Sequence, residues 1–371
     1  MNGRLRRVFL DLEPLRKDRD YRLLWSGQAV SAIGNQMTRI AVPFQVFVLT
    51  DSTVAIGLLS ICQLVPILMF SLGGGSLADV VDRRKLLLVT QTGLALCSLG
   101  FVLLALSGSP PVIALFALAI VAAGLTTVDQ PARSSSIPRL VPPERLPAAI
   151  ALNALNSQTA SIVGPAIGGV LIATIGLQGA YGVDFLSFLG SIAALLAIRP
   201  LPPIGGVARP GLAAIREGLR YVRQRRVILG GFVIDFNAMV FGMPTAIFPV
   251  LALEVFRTGP AGFGLLAAAP AVGAFTGALT SGWVKRLTHT GRAVLFAVTA
   301  WGLAITAFGL VTFSFPLALV CLAIAGAADL FSAVFRSTMI QLETPDGLRS
   351  GSSCRHWLVR RRGPGRDCRT G

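Results

Sequence analysis

Long apolar runs separated by short polar connections are the dominant pattern of this sequence. A helix needs about 20 apolar residues to cross the core of a bilayer, and ten runs approach or exceed that length. They cover residues 23–49, 54–78, 86–106, 112–130, 146–175, 179–198, 227–253, 261–284, 293–312 and 316–335. The pattern therefore predicts an all-α polytopic membrane protein whose surroundings are the lipid bilayer.

A polar segment rich in proline and arginine divides these runs into a group of six and a group of four. The predicted organisation is an N-terminal segment (1–22), a six-span half (23–198), a linker (199–226), a four-span half (227–348) and a basic tail (349–371). The tail has no apolar run long enough to span. A reading-frame shift near residue 349 is one hypothesis for it, and a natural basic tail on a ten-span protein is the alternative.

The positive charges alternate with the runs. Successive connections on one side hold seven (1–22), three (83–85), three (133–145), seven (199–226) and three (285–292) Lys or Arg residues, whereas the connections on the other side hold only Arg257. Basic connections stay in the cytoplasm. Both termini are therefore predicted to be cytoplasmic, in a bacterial-type inner membrane.

The charge distribution, the motifs and the cysteine spacing together argue against several function classes. The net charge of +16 does not indicate a nucleic-acid partner, because the cations lie where membrane topology requires them. The chain has no Gly-x4-Gly-Lys-Ser/Thr loop, so no ATP use is predicted. The five cysteines are scattered without a Cys-x-x-Cys pair, so neither a metal site nor a cofactor is expected. The sequence does not predict an enzyme.

Residues 73–85, called the signature loop below, join the second and third runs with almost no slack. The loop reads Gly-Gly-Gly-Ser-Leu-Ala-Asp-Val-Val-Asp-Arg-Arg-Lys. Glycines such as Gly75 allow helices to approach closely. The candidate gating charges that follow are Asp79, Asp82, Arg83 and Arg84. The simplest alternative is an ordinary basic loop between two spans.

An internal repeat links the fourth and tenth runs. Residues 133–137 align with residues 336–340 at an offset of 203. Asp129 precedes Arg133 by four residues and Asp329 precedes Arg336 by seven, and both spacings place acid and base on one helix face. The repeat predicts two homologous halves related by an axis along the membrane normal. Asp129 and Arg133 are predicted to form an intracellular gate pair.

With these residues placed, the chain resembles the major facilitator superfamily. Gly75-Ser-Leu-Ala-Asp79 with Asp82-Arg-Arg-Lys85 resembles the family's loop between its second and third spans. Residues 21–28, 131–133, 153–156 and 344–346 resemble the branch that contains the enterobactin exporter and related efflux permeases. Two departures stand out, because Val80 occupies a position that is usually basic and the family has twelve spans rather than ten.

The resemblance implies a major-facilitator-type helical bundle with a complete six-span half and an incomplete four-span half. It also implies a secondary transporter that exports a small siderophore- or drug-like molecule by alternating access, coupled to proton antiport. Two alternatives stay open, namely a small-solute importer on the same scaffold and a non-transporting product of a damaged transporter gene.

Polar residues inside the runs are the candidates for chemistry. Proton coupling needs an intramembrane carboxylate, and the candidates are Asp184, Asp235 and Asp329, each of which is alternatively a structural acid. The substrate-pathway candidates, which alternatively make interhelical hydrogen bonds, are Gln28, Asn35, Gln36, Arg39, Asn153 and Asn156.

Two further expectations concern Arg39 and the fifth run. An unpaired cation in a span is costly, so Arg39 is expected to have a partner or a water-filled cavity. In a functional role it would bind an anionic substrate or set the pKa of a carboxylate. In a structural role it would form an ion pair, for example with Asp184. In the fifth run, residues 164–169 resemble the Gly-Pro element of drug–proton antiporters. They are predicted to serve close packing or a hinge through Gly164, Pro165, Gly168 and Gly169.

Overall fold

A computed structural model describes residues 11–80, 82–201, 244–280 and 290–343, without the side chains of residues 71–80, 290–291 and 336–343. Several predicted features lie outside this description. They are the linker beyond residue 201, most of the seventh run with Asp235, the connection at 281–289, and the basic tail. The predicted domain boundaries in those parts stay predictions.

Each of the six runs of the first half coincides with one helix. A short helix α1 (Glu13–Lys17) precedes α2 (Arg19–Thr50), α3 (Thr53–Val80), α4 (Arg83–Leu106) and α5 (Val112–Leu140). A 3₁₀ turn (Pro143–Arg145) then leads into α6 (Leu146–Thr174) and α7 (Leu177–Leu196). The described residues contain no β-strand, so the all-α prediction is confirmed for them.

The described part of the second half begins with an irregular segment. A 3₁₀ turn (Pro244–Ile247), a single helical turn α8 (Phe248–Val250) and a π-helical turn (Leu251–Val255) follow one another. Three long helices come next, namely α9 (Gly259–Leu279), α10 (Thr290–Leu310) and α11 (Phe315–Glu343). Within the described ranges, eight helices are long and apolar enough to cross a bilayer. The polar helix α2 is not one of the eight, although it lies among other spans.

Helix α5 corrects the predicted end of the fourth run at residue 130, because the helix extends into the predicted basic connection at 133–145. The helix continues through Pro131 and Pro138 to Leu140. Proline removes one backbone hydrogen bond, but the side chains of Ala132, Arg133, Ser136 and Ile137 are buried against neighbouring helices. Tertiary packing therefore outweighs the local cost of the prolines.

The repeat seen in the sequence is also a repeat of structure. Helices α5 and α11 are both 29 residues long, and the offset of 203 relates both their first residues and their last residues. Helix α5 packs against α3 and α4, and α11 packs against α9 and α10 in the same order. The fourth and tenth spans are therefore equivalent elements, as the aligned arginines predict.

The two halves meet where α6 crosses α9. Gly169 and Gly264 face each other at the crossing, and a methyl group on either would lie 2.8 Å from the Cα atom of the other. A methyl group on Gly264 would also collide with the carbonyl oxygen of Pro165. About three turns earlier on α6, the Gln158 side chain donates a hydrogen bond of 2.9 Å to the carbonyl of Ala271 on α9. Backbone-to-backbone contact between spans is typical of small residues in membranes.

Candidate transport site

Helix α2 separates small residues from large polar residues around its circumference. One face carries Gly27, Gly34 and Thr38 and packs against α7, where Gly34 lies against the backbone of Asp184. Successive residues of a helix are about 100° apart, so Gln28, Asn35 and Arg39 share a different face. Helix α2 touches α3, α5, α6, α7 and α8, which makes it the central helix of the first half.

Asp184 is a fully buried carboxyl group between α2, α4 and α7. Only 1% of its surface is exposed. The hydroxyl groups of Thr38 and Ser98 each donate a 2.6 Å hydrogen bond to Oδ2, whereas Oδ1 is buried with no hydrogen-bond partner among the described residues. Oδ1 of Asp184 lies close to the backbone of Gly34. A methyl group on Gly34 would be 2.7 Å from this oxygen. This carboxyl group is solvated by two hydroxyls and by no cation of the described chain.

One of the alternatives for Arg39, an ion pair with Asp184, is contradicted by the structure. Thr38 faces Asp184, so the next residue, Arg39, projects about 100° away around the helix. The Arg39 side chain is exposed, and its Nη1 donates a 3.1 Å hydrogen bond to Oε1 of Gln36. Within the described ranges, no acidic side chain forms an ion pair with Arg39. Among the described residues, the Arg39 guanidinium is hydrogen-bonded to an amide and not paired with an acid.

A chain of polar side chains connects α2 with α6. Nε2 of Gln36 donates a 2.9 Å hydrogen bond to Oγ of Ser161. Asn153 on the same helix is half-buried, as are Gln28 and Asn35 on α2. Asn156 is buried, and its Nδ2 has no hydrogen-bond partner among the described residues. Gln36 therefore makes an interhelical hydrogen bond and at the same time holds Arg39.

The glycines of the fifth run lie at two helix crossings. Gly164 and Gly168 face α2, and a methyl group at Gly164 would lie 2.5 Å from Cβ of Gln36. Gly169 and the carbonyl of Pro165 face α9. The glycines thus allow α6 to pack closely against both halves at once. Their role as a hinge stays a prediction.

Asp129 and Arg133 form the ion pair that their spacing predicts, with 2.9 Å between Oδ2 and Nε. Both side chains are buried. Oδ1 of Asp129 also accepts hydrogen bonds of 2.6 Å from Thr90 and 3.0 Å from Gln91 on α4. All four residues belong to the first half, so the pair ties α5 to α4, and within the described residues it makes no bridge to the second half. Its assignment as a gate stays a prediction.

The charges of the signature loop stabilise helix ends. Asp82 is the N-cap of α4, and its Oδ1 accepts a 2.9 Å hydrogen bond from the backbone of Arg84. The Arg84 guanidinium donates bonds of 3.0 Å and 2.7 Å to the carbonyls of Leu195 and Leu196 at the end of α7. A cation at the C-terminus of a helix complements its dipole. Arg83 is buried. Gly75 and Asp79 lie near the end of α3, and the Asp79 side chain is outside the described residues.

We expect Arg84→Ala to lower the thermal stability of the purified protein. The change removes two charge-assisted hydrogen bonds to the end of α7, which are worth about 1–3 kcal/mol together. Thermal unfolding in detergent provides the measurement. The neighbouring Lys85→Ala is the matched control, because the Lys85 side chain is exposed. Equal losses in the two variants would contradict the capping role.

A second group of contacts ties the starts of α2 and α6 together. Arg145 contacts Asp18 at 2.8 Å and Glu13 at 3.5 Å. The hydrogen bond that Arg145 donates to Asp18 raises the pKa of Arg145, and the hydrogen bond that Glu13 accepts from Lys17 lowers the pKa of Glu13. Arg145 therefore keeps its charge, and the α1–α2 junction stays bound to the turn before α6.

The remaining predicted residues are only partly described. Asp329 is exposed on α11 and has a contact with another residue. Arg336 lies on the same helix, but its side chain is outside the described residues, and Asp235 lies wholly outside them. The sequence does not predict three hydroxyl groups that donate hydrogen bonds to the buried acids. They belong to Thr38, Thr90 and Ser98. Their only signal in the sequence is a polar position within an apolar run.

Comparison with known proteins shows which family the chain belongs to. The family model described as transmembrane secretion effector matches residues 11–354. The chain belongs to this family of the major facilitator superfamily. It is therefore a membrane transporter in class, and its relatives are transporters rather than enzymes.

Among curated relatives, the chain is 28% identical to the enterobactin exporter of Escherichia coli O1:K1, covering 91% of this chain and 81% of that protein. It is 27% identical to the enterobactin exporter of Citrobacter koseri over the same shares.

Solved structures confirm the fold. A bacterial homologue of the lysosomal transporter Spinster has a TM-score of 0.65 at 16% identity, covering 92% of this chain and 79% of that one. A bacterial homologue of the iron transporter ferroportin, in its inward-facing state, has a TM-score of 0.63 at 15% identity, covering 89% and 86%. The predicted major-facilitator fold is therefore confirmed.

Proposed function

We propose that this transporter exports a small siderophore- or drug-like molecule from the cytoplasm by alternating access, driven by proton antiport. The carrying observation is the crossing of α6 and α9, where Gly169 and Gly264 bring one helix of each half into backbone contact. Such a contact permits two rigid halves to rock about one line. The curated relatives named as enterobactin exporters support the direction and the siderophore-like substrate.

The packing within the first half supports rigid-body motion. Helix α2 is tied to α7 by Thr38–Asp184, to α6 by Gln36–Ser161, and at its start to the turn before α6 by Asp18–Arg145. Helices joined at several levels move together more readily than they separate. The α6–α9 contact is by comparison mostly van der Waals contact of small residues, with the Gln158 hydrogen bond added.

For the coupling group we propose Asp184. A proton carrier must exist in charged and neutral forms inside the membrane. Asp184 has two hydroxyl donors, which can also act as acceptors, so Thr38 and Ser98 are able to hold either form. No described cation is paired with it, in contrast to Asp129, whose partner Arg133 fixes the charge. Asp235 and Asp329 stay alternatives.

The topology belongs to the same proposal. With the basic connections at 83–85 and 133–145 in the cytoplasm, the N-terminus is cytoplasmic and the protein spans a bacterial inner membrane. Export then moves substrate from the side of the signature loop to the opposite side.

Inverted membrane vesicles test the direction of transport. We expect energised inverted vesicles that contain the chain to accumulate labelled enterobactin or a drug-like dye, and an uncoupler to abolish the accumulation. Vesicles without the chain are the control. Accumulation only in right-side-out vesicles would identify an importer, and no flux in either orientation would contradict transport by this chain.

A further inference from the structure

We infer that Arg39, braced by Gln36 and Ser161, is an anion-binding subsite for the transported molecule. The inference deepens the proposed function and rests on it, because it assigns the interior face of α2 to the substrate pathway. It commits to a substrate class: a small molecule that carries a carboxylate or another acidic oxygen group.

The position of Arg39 points to a ligand rather than to a structural role. It lies well inside α2 (Arg19–Thr50), far from either end of the helix. Arg133, a described cation within helix α5, has a carboxylate partner from the chain, Asp129. Among the described residues, Arg39 has a single hydrogen-bond partner, the neutral Gln36. A guanidinium inside a span is costly unless water or an anion solvates it.

The face of α2 that carries Arg39 lies about 180° around the helix from the apolar face that carries Val30 and Val48, whose side chains are 54% and 58% exposed. Gln28 and Asn35 share the face of Arg39. Helix α2 is bordered by α3, α5, α6 and α7, and its Phe44 stacks on Phe263 of α9 with ring centroids 5.6 Å apart. A helix that touches both halves and presents polar side chains on one face borders the path between them. On α6, Asn153, Ser157 and Ser161 follow at four-residue spacing, and Ser161 reaches this stripe through Gln36.

The brace leaves the guanidinium ready for a bidentate ligand. Arginine has five N–H donors in a planar fork, and among the described residues only one nitrogen, Nη1, donates a hydrogen bond, to Gln36. Gln36 is itself held by Ser161 at 2.9 Å. The guanidinium is thus oriented before a ligand arrives, which lowers the entropy that binding costs. Planar recognition of a carboxylate by two parallel hydrogen bonds is the strongest interaction available to such a group.

The test compares two dyes that share a xanthene ring system but differ in charge, anionic fluorescein and cationic rhodamine 123. Fluorescence anisotropy with the purified full-length chain in detergent measures binding. We expect fluorescein to bind at least about tenfold more tightly than rhodamine 123, since a charge-assisted hydrogen bond contributes about 1.5–3 kcal/mol. Arg39→Gln should remove this preference, and Arg39→Lys should restore part of it.

Two further variants separate the subsite from general charge effects. Gln36→Leu keeps the arginine but removes its brace, so we expect fluorescein to bind several-fold more weakly while the chain stays folded. Arg22→Gln removes an exposed cation from the basic end of the same helix and should leave the preference unchanged. Equal effects of Arg22→Gln and Arg39→Gln would overturn the assignment, as would a wild-type protein that does not bind fluorescein.

Transport of the same dyes into inverted vesicles distinguishes this inference from the proposed function. Uncoupler-sensitive accumulation of rhodamine 123 without Arg39-dependent binding of fluorescein would leave the exporter standing and overturn the anion subsite. Arg39-dependent binding of fluorescein without accumulation of either dye would support the subsite and contradict export.

Discussion

Gly264→Ala is expected to reduce transport by about tenfold or more, because overpacking a close crossing costs about 1–3 kcal/mol. The added methyl group would collide with the carbonyl oxygen of Pro165 and lie 2.8 Å from Cα of Gly169. Both neighbours are backbone atoms of the opposite half, so neither can rotate away. The two helices must separate at the line about which the halves are proposed to rock.

Initial rates of dye or enterobactin accumulation in vesicles, normalised to folded protein, measure this effect. Gly302→Ala is the matched control, because α10 belongs to the same half and a methyl group at Gly302 would meet nothing within 4 Å. Gly273→Ala is a second comparison, since Gly273 lies against Ala323 within the second half. It should lower thermal stability, whereas Gly264→Ala should act mainly on the transport rate. Normal transport by Gly264→Ala would contradict a rocking contact at this crossing.

Asp184→Asn is expected to abolish proton-driven accumulation while exchange of substrate across the membrane continues. The amide keeps the shape of the carboxyl group and one acceptor oxygen for Thr38 and Ser98, but it cannot bind and release a proton. Exchange does not require the proton to cycle. Counterflow of labelled against unlabelled substrate in proteoliposomes, with and without a pH gradient, separates the two activities.

Ser191→Ala is the control for Asp184→Asn, because Ser191 is another buried polar residue of α7 and faces Gly27 rather than the carboxyl group. We expect its accumulation to stay close to that of wild type, because Ser191 is not one of the hydroxyl donors to the Asp184 carboxyl group. Loss of both accumulation and exchange in Asp184→Asn would instead indicate that Asp184 only fixes the packing of α2, α4 and α7. Retained accumulation would move the coupling role to Asp235 or Asp329.

The helices were predictable from the sequence because a bilayer demands long apolar runs. Helix α6 begins at Leu146 as the run predicts, and the 203-residue offset between Arg133 and Arg336 predicts the equivalence of α5 and α11. The extension of α5 to Leu140 was not predictable in the same way. Local rules read Pro131 and Pro138 as helix breakers, and only burial against neighbouring helices keeps that segment helical.

The candidate site was predictable as a set of residues but not as a set of partners. The sequence singled out Arg39 and Asp184 because each is a charge within an apolar run. An ion pair between them was one of the alternatives and is wrong, since partnership depends on which face of α2 meets α7. That face is set by the packing of Gly34 against the Asp184 backbone. The hydroxyls of Thr38 and Ser98 carry no distinctive spacing, so their role emerges only from the fold.

Simultaneous measurement of proton and substrate movement tests the central claim, proton-driven export, most directly. Proteoliposomes that contain the purified chain and the pH-sensitive dye pyranine are given a gradient of substrate without any imposed pH gradient. The proposed antiport predicts that protons move against the direction of substrate flow, and that Asp184→Asn abolishes the proton signal but not substrate exchange. Proton movement in the same direction as the substrate, or substrate flow without proton movement in the wild-type chain, would contradict it.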